Sequence, residues 1–415
     1  MVKGLALAAG GAKGVYQVGA WKALSEYNHH FDYIAGTSIG AINGALMAQG
    51  DFDHALHLWQ NLRMDQCLSF ADGSDLSSIK DFGIKDADKL ISEYLRNGGL
   101  NTSPFRELLS QYIDEHRVRA SNVRFGFLTA TTPNIKPVEL WINEIPKGCL
   151  VDYLMASSRL PGLKHVKINN KQYIDGGLVE NVPLNMLIKT GSRDLYAIAL
   201  RSNSNLKLSQ FPCRRFSYIH NRIDLGNIFD ITPSKLKLNI SLGYLDALKV
   251  LGVLNGEFYY FYDADYICIL KEYGFNITMG LEQAALAYNI DRKLVWSPNA
   301  FIAEIQANRA KFNEQYQQSR EELQIEHKLR LAAVGKLKSL KLSPSMRLSF
   351  LLEVLSEMQK NNRSIQLPMK LFKNLDHAGK ALCRLDQEKQ DWSRYSPQPL
   401  SKNIVPDQLV NGFRD

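Results

Sequence analysis

A chain of 415 residues, with 45% hydrophobic and 10% aromatic side chains, can bury a real interior and is too long for one ordinary core, so a disordered protein is excluded and roughly two to three domains are expected. The net charge of +8 allows an anionic partner without demanding one. The five cysteines (Cys67, Cys149, Cys213, Cys268 and Cys383) are odd in number and lack metal-ligand spacing, which predicts reduced thiols and a cytoplasmic location.

The opening MVKGLALAAGGAKG has the lysine and apolar run of a secretion signal, but Gly10 and Gly11 break that run after a few residues. Residues 4–8 (GLALA) therefore read as a buried first strand. No later stretch has the ~18 uninterrupted apolar residues that a membrane span needs. Val15, Val18, Trp21 and Leu24 recur every third position, which predicts a helix over residues 15–27. A second strand follows at 31–35 and a second helix at 39–49, closed by Gly50. This βαβα order implies parallel strands joined by right-handed crossovers.

Residues 50–121 read as mostly helical, with a loop at 69–78 (SFADGSDLSS) and a helix start at Ser103-Pro104, serine as cap and proline first. Strand patterns return at 123–131, 171–174 and 195–200, with a helix at 151–157. The expected fold is α/β: a three-layer α/β/α sandwich with a mainly parallel central sheet over residues 1–204. The polar stretch 202–209 (SNSNLKLS) is its boundary. Further on, residues 302–342 are rich in helix formers, and Met346, Leu348, Leu351, Leu352 and Leu355 continue near helical spacing. A mainly helical, basic C-terminal domain is expected over 276–415, with SPQP at 396–399 marking an irregular end. From Lys311 onward there are 18 basic against 12 acidic residues, and residues 328–347 hold six bases and no acid. That run suits an anionic membrane surface or a solvated helix face; nucleic acid is not expected.

Chemistry is concentrated at three turns. Gly36-Thr37-Ser38-Ile39-Gly40 lies where the second strand gives way to the second helix, the setting of a nucleophile elbow, with Gly36 and Gly40 clearing the turn. The helix start adds positive partial charge beside any alkoxide that develops. A serine that merely caps the helix is the plainer alternative. Gly10-Gly11-Ala12-Lys13-Gly14 also sits between strand and helix, and its N–H groups, those of Gly11 and Ala12 first, are candidates for an oxyanion hole. A phosphate loop fits less well, because Val15 follows Gly14 and no Walker motif forms. A dinucleotide site could use Asp32, yet GGAKG does not match GxGxxG. The third turn is Asp175-Gly176-Gly177, whose carboxylate, partly desolvated, could take the serine proton directly; DGG is also a common strand-end turn. Among the histidines, His54 and His57 fall on a probable packing helix, and His220 stays open as the last member of a Ser-Asp-His order.

The three motifs in this order resemble the patatin-like phospholipase family, as do ASSRLPGL (156–163) and DGGLVENVPL (175–184). The segment 224–252 is similar to the extension that follows the core in bacterial members, which places a family-like extension at 205–275. The resemblance covers about residues 1–262. It implies a lipid acyl hydrolase of phospholipase A or lysophospholipase type that works through an acyl-enzyme without metal or other cofactor. Ser38 would be its nucleophile and Asp175 its base, with residues 10–14 (Gly10, Gly11, Ala12, Lys13, Gly14) as oxyanion hole. Lys13 holds the family's basic position and is expected to brace the loop. Ala9 stands where many members have a third glycine. Trp59, Leu62, Met64, Leu68 and Phe70 either line a mobile apolar cover or serve ordinary helix and loop packing, and a phospholipid or other acyl lipid at a membrane periphery is the expected substrate. Two further readings remain: a C-terminal domain that binds a ligand or partner and gates the hydrolase, and a nucleotide-binding α/β protein.

Overall fold

A computed structural model of the chain describes residues 2–70, 99–164, 166–200, 213–322, 349, 352–353, 355–356, 360, 369–387 and 401–413. Most of the 69–78 loop, the 202–209 boundary, the basic run 328–347 and the 396–399 end lie outside the described residues. The chain forms two compact units, Met1–Val250 with Val405–Asp415 and Leu251–Ile404.

The first unit is built on an eight-stranded sheet in the order β5-β6-β3-β2-β1-β7-β8, with β4 paired to β3 off that path. Its strands are β1 (Lys3–Leu7), β2 (Tyr33–Thr37), β3 (Arg124–Thr132), β4 (Lys136–Trp141), β5 (Val166–Ile168), β6 (Lys171–Asp175), β7 (Asp194–Ile198) and β8 (Arg215–Ile219). Strands β1, β2, β3, β7 and β8 run parallel. The remaining three pair antiparallel. Its helices are α1 (Val15–Glu26), α2 (Ile39–Ala48), α3 (Phe52–Asn61), α4 (Ser103–Tyr112), α5 (Glu115–Ala120), α6 (Leu150–Ser157), α7 (Leu184–Lys189) and α8 (Pro233–Val250).

Alternation along β1 shows why the sheet carries helices on both sides. Leu7 meets α2 at Gly44, whereas Gly4, an odd number of residues away and so on the opposite face, meets Leu187 of α7. Leu5, Leu7, Ile34, Phe125 and Phe127 are all essentially inaccessible, as two covered faces require. The α/β sandwich with a mainly parallel sheet is therefore observed. In this sheet β4, β5 and β8 are not marked by the sequence pattern, as the short strands of the second unit are not. The residues of β4, and all but the last of β8, are exposed or only partly buried, and β5 is three residues long, so no apolar alternation marks them. Strand β8 carries the sheet past residue 204, so the division by packing differs from the expected 204/205 and 275/276 boundaries. The expected Ser103 cap also moves by one residue: Thr102 is the cap, and Ser103 and Pro104 are inside the helix.

The second unit pairs β9 (Leu254–Asn255), β10 (Tyr260–Tyr262) and β11 (Val295–Trp296) in a small sheet. Around it pack α9 (Asp263–Ala287), broken at Gly274, then α10 (Pro298–Glu322) and α11 (Met369–Gln387). Its core is aromatic, with the rings of Tyr259, Phe261 and Trp296 each packed against Phe301. The fully buried Glu282 is satisfied by the N–H groups of Glu257, Phe258 and Tyr259. Arg309 joins Glu353 and Asp386 in a buried ion-pair network that ties three segments together. The expected helical character of this region is observed.

Candidate active site

The meeting of Ser38 and Asp175 is a consequence of register on β3. Strand β2 runs parallel to β3 and ends with Thr37 opposite Leu128. Strand β6 runs antiparallel to β3 and ends with Asp175 opposite Thr129, the next residue. The carboxyl ends of β2 and β6 thus abut along one edge of β3. Ser38 Oγ donates to Asp175 Oδ2 at 2.5 Å. Both residues are buried, at 6% and 2% exposure, so water competes little for this bond.

The turn at Ser38 is strained. Its φ of 57° and ψ of −124° place a non-glycine residue outside the favoured regions, at a cost of about 1–3 kcal/mol. Two glycines make the turn passable. A Cβ on Gly36 would lie 2.2 Å from Gly40 O, and one on Gly40 would lie 2.3 Å from Leu7 O. The elbow geometry thus sets the hydroxyl at the start of α2, and the serine side chain makes no cap hydrogen bond to that helix. Asp175 is held as firmly: its Oδ1 accepts from Gly177 N–H at 2.7 Å, and its own N–H donates to Arg159 O at 2.8 Å.

The glycine turn lies against the same site and is clasped from two sides. Asn181, in the loop after Asp175, accepts from Ala9 N–H at 3.0 Å and donates to Ala9 O at 3.3 Å. On the other side Lys13 Nζ pairs with Asp224 Oδ1 at 2.8 Å, the bracing expected of Lys13. The Lys13 bond in turn holds the Asp224 carboxyl below its ordinary range. The donors differ from expectation in one respect. Ala12 N–H is already given to Ile228 O at 2.7 Å, and Lys13 N–H to Gly10 O at 3.3 Å. Among the described residues, Gly10 and Gly11 N–H have no acceptor, so the open donors lie one residue earlier than expected, at Gly10 and Gly11 rather than Gly11 and Ala12. Gly14 O is taken by Asn43 Nδ2, which fixes the far end of the turn.

Ser38, Asp175, Gly10, Gly11, Ala12 and Gly177 open on one cavity of about 210 Å³. Its walls are otherwise mostly apolar, among them Ile42, Leu62, Met64, Phe105, Leu160 and Phe229. Four of the five residues expected in a mobile cover, Trp59, Leu62, Met64 and Leu68, line it. Trp59 takes the packing alternative: it is buried and its Nε1 donates to Asn43 Oδ1 at 3.0 Å. Phe70 packs with Leu68, Leu100 and Leu163. Burial pushes the Cys67 thiol up to about 12, so it serves as neutral wall and not as a second nucleophile.

His220 is not brought to this site. It follows β8, three strands from β2 in the sheet, a separation of about 14 Å at ordinary strand spacing, and its ring stacks on Tyr218. Asp32 accepts from Lys3 N–H at the opposite end of β2, away from the glycine turn, so the dinucleotide reading loses its acid. Sequence reasoning assigned no role to Asp224, Ile228, Asn181 or Ser157. Asn181 and Ser157 stand within the DGGLVENVPL and ASSRLPGL stretches, the available signal; Asp224 and Ile228 had only their place in the extension.

A strained serine hydrogen-bonded to a buried carboxylate on an α/β sheet, beside a glycine turn and an apolar cavity, is the layout of a serine hydrolase of the acyl-ester class. Residues 5–188 match the family model of the patatin-like phospholipases, so the chain carries a patatin-like phospholipase domain. Lysophospholipase NTE1 of Saccharomyces cerevisiae is 24% identical over 251 residues, covering 60% of this chain and 14% of that protein. An NTE-family protein of Mycobacterium tuberculosis is 25% identical over 181 residues, 43% of this chain and 44% of that one. VipD from Legionella pneumophila, a solved structure, aligns over 95% of this chain and 93% of its own with 12% identity and a TM-score of 0.36. The chain thus spans about one seventh of the yeast relative's length.

Proposed function

We propose that this protein hydrolyses carboxylic esters of acyl lipids, phospholipids or lysophospholipids, through Ser38 as nucleophile and Asp175 as general base. Ser38 Oγ attacks the ester carbonyl as its proton passes to Asp175 Oδ2. The N–H groups of Gly10 and Gly11 receive the developing oxyanion. Collapse of the tetrahedral intermediate expels the alcohol, which takes the proton from Asp175. A water then gives its proton to Asp175 and attacks the acyl-enzyme, releasing the fatty acid and regenerating Ser38. The substrate is drawn from a bilayer or micelle, with the basic run 328–347 facing anionic lipid.

The observation that carries this reading is the 2.5 Å Ser38–Asp175 hydrogen bond in the wall of a mostly apolar cavity. The family match of residues 5–188 supports the substrate class. The test is release of fatty acid from lysophosphatidylcholine micelles, with covalent labelling by a fluorophosphonate mapped to its residue. Label on Ser38, and a Ser38→Ala protein that is folded but inactive, are expected; undiminished hydrolysis by Ser38→Ala would overturn the assignment.

A further inference from the structure

The stretch ASSRLPGL lies at the end of α6 and has no part in the chemistry above, yet it touches both members of the pair. Ser157 is fully buried. Its Oγ accepts from the Ser38 N–H at 3.0 Å and donates to Leu128 O at 2.7 Å. Two residues on, Arg159 O accepts from the Asp175 N–H at 2.8 Å. One residue back, Ala156 O accepts from Thr129 Oγ1 at 3.3 Å, and the same hydroxyl also reaches Ile174 O at 3.1 Å. Residues 156–159 therefore hold the backbone of Ser38 and the backbone of Asp175 at once, and bind both to Leu128 and Thr129, the two residues of β3 where the strand ends meet.

We infer that Ser157 is a positioning residue for the nucleophile, resting on the Ser38–Asp175 reading. Ser38 occupies a strained backbone conformation, which persists only when the surroundings over-determine it. Within a sheet a strand residue would have its N–H held by a neighbouring strand; Ser38 lies beyond the last β2–β3 pair, and a side-chain hydroxyl takes over. That hydroxyl is itself oriented, because its proton is committed to Leu128 O and its lone pair is left for the Ser38 amide. The bond also keeps the Ser38 N–H from turning toward the cavity, so the oxyanion donors are those of the glycine turn. A carbon in place of the oxygen removes the acceptor of the buried Ser38 N–H and a donor to Leu128 O, and releases the elbow to relax.

The experiment compares wild type, Ser157→Ala and Ser157→Thr in the full chain. Misplacing a nucleophile by about 1 Å can cost ~100-fold in rate. For Ser157→Ala we expect kcat on a p-nitrophenyl acyl ester and the rate of fluorophosphonate labelling to fall together by about 100-fold, with KM within about twofold of wild type. Ser157→Thr, which keeps the hydroxyl, should recover most of the loss. Amide hydrogen exchange at residue 38 should speed up in the alanine variant and in no other way depends on hydrolysis. A folded Ser157→Ala protein with unchanged exchange at residue 38 and unchanged labelling rate overturns the inference, as does a loss carried by KM. If wild type takes no label at Ser38, the hydrolase reading fails by itself, and the exchange rates still decide whether Ser157 pins that amide.

Discussion

Gly11→Ala separates the proposed catalytic use of the glycine turn from its contribution to stability. Gly11 has a φ of +58°, where a side chain costs about 1–2 kcal/mol, and an added Cβ would lie 2.3 Å from Ile228 O. Cβ contacts under 3.0 Å are essentially never seen, so the turn and the 228 segment must part by about 0.7 Å. Ala12 N–H donates to that same Ile228 O, so the parting also weakens the bond that holds the turn. On the proposed mechanism, a displacement of this size takes the Gly10 and Gly11 donors off the oxyanion, and loss of one such donor costs about 100-fold in kcat, close to 3 kcal/mol. Gly50→Ala is the matched control: it too sits at positive φ, +75°, but nothing lies within 4 Å of its Cβ. Both variants should lose about 1–2 kcal/mol of stability from backbone conformation, a few degrees in Tm. Only Gly11→Ala should lose turnover, measured as kcat and KM on a p-nitrophenyl ester beside calorimetric Tm. Wild-type kcat in Gly11→Ala, or an equal loss in Gly50→Ala, would refute the argument.

Asp175→Asn keeps an acceptor for the Gly177 N–H but removes the proposed base, and should lower kcat by about 10²–10⁴-fold with little change in Tm; retained turnover would point to another base. Asp224 is held below its ordinary range by Lys13, so its pairing is complete above about pH 4 and is lost as pH falls through the lower, folded value. Fluorophosphonate labelling of wild type should therefore gain an acid-side fall that Asp224→Asn lacks, the variant being slower at neutral pH; identical profiles would remove Asp224 from the brace. The Cys67 thiol, raised to about 12 by burial, should resist iodoacetamide at pH 8 in the native protein, as mass mapping would show. Rapid carboxymethylation there would contradict its place in the wall.

The first parallel strands and their helices were legible because each is apolar over its whole length or at regular helical spacing. β1 and β2 are buried residue after residue, as interior parallel strands are, and α2 follows β2 after a single turn residue. β8 was not legible, since Arg215 is exposed and Phe216, Ser217 and Tyr218 are half-buried on an edge strand with no clean alternation. Local chemistry was legible at the elbow, where Gly36 and Gly40 flank the serine. The donor assignment was not, because the acceptor that occupies Ala12 N–H comes from Ile228, more than two hundred residues away in the chain.

The pairing of Ser38 with Asp175 was readable as two motifs and not as a contact, for a reason that lies in β3. Nothing local to either motif fixes where β2 stops relative to β6; each is positioned only by its register against the third strand. Side chains alternate along a strand, so a shift of β6 by one residue would turn the Asp175 side chain to the opposite face of the sheet, and a shift by two would carry it about 7 Å along β3. Either would break a 2.5 Å hydrogen bond. The bonds from Thr129 Oγ1 to Ile174 O and Ala156 O, and from Asp175 N–H to Arg159 O, lie where they oppose such slips. The geometry of the site is thus set less by the residues that would perform the chemistry than by β3 and the end of α6, which the sequence marks only through the ASSRLPGL stretch.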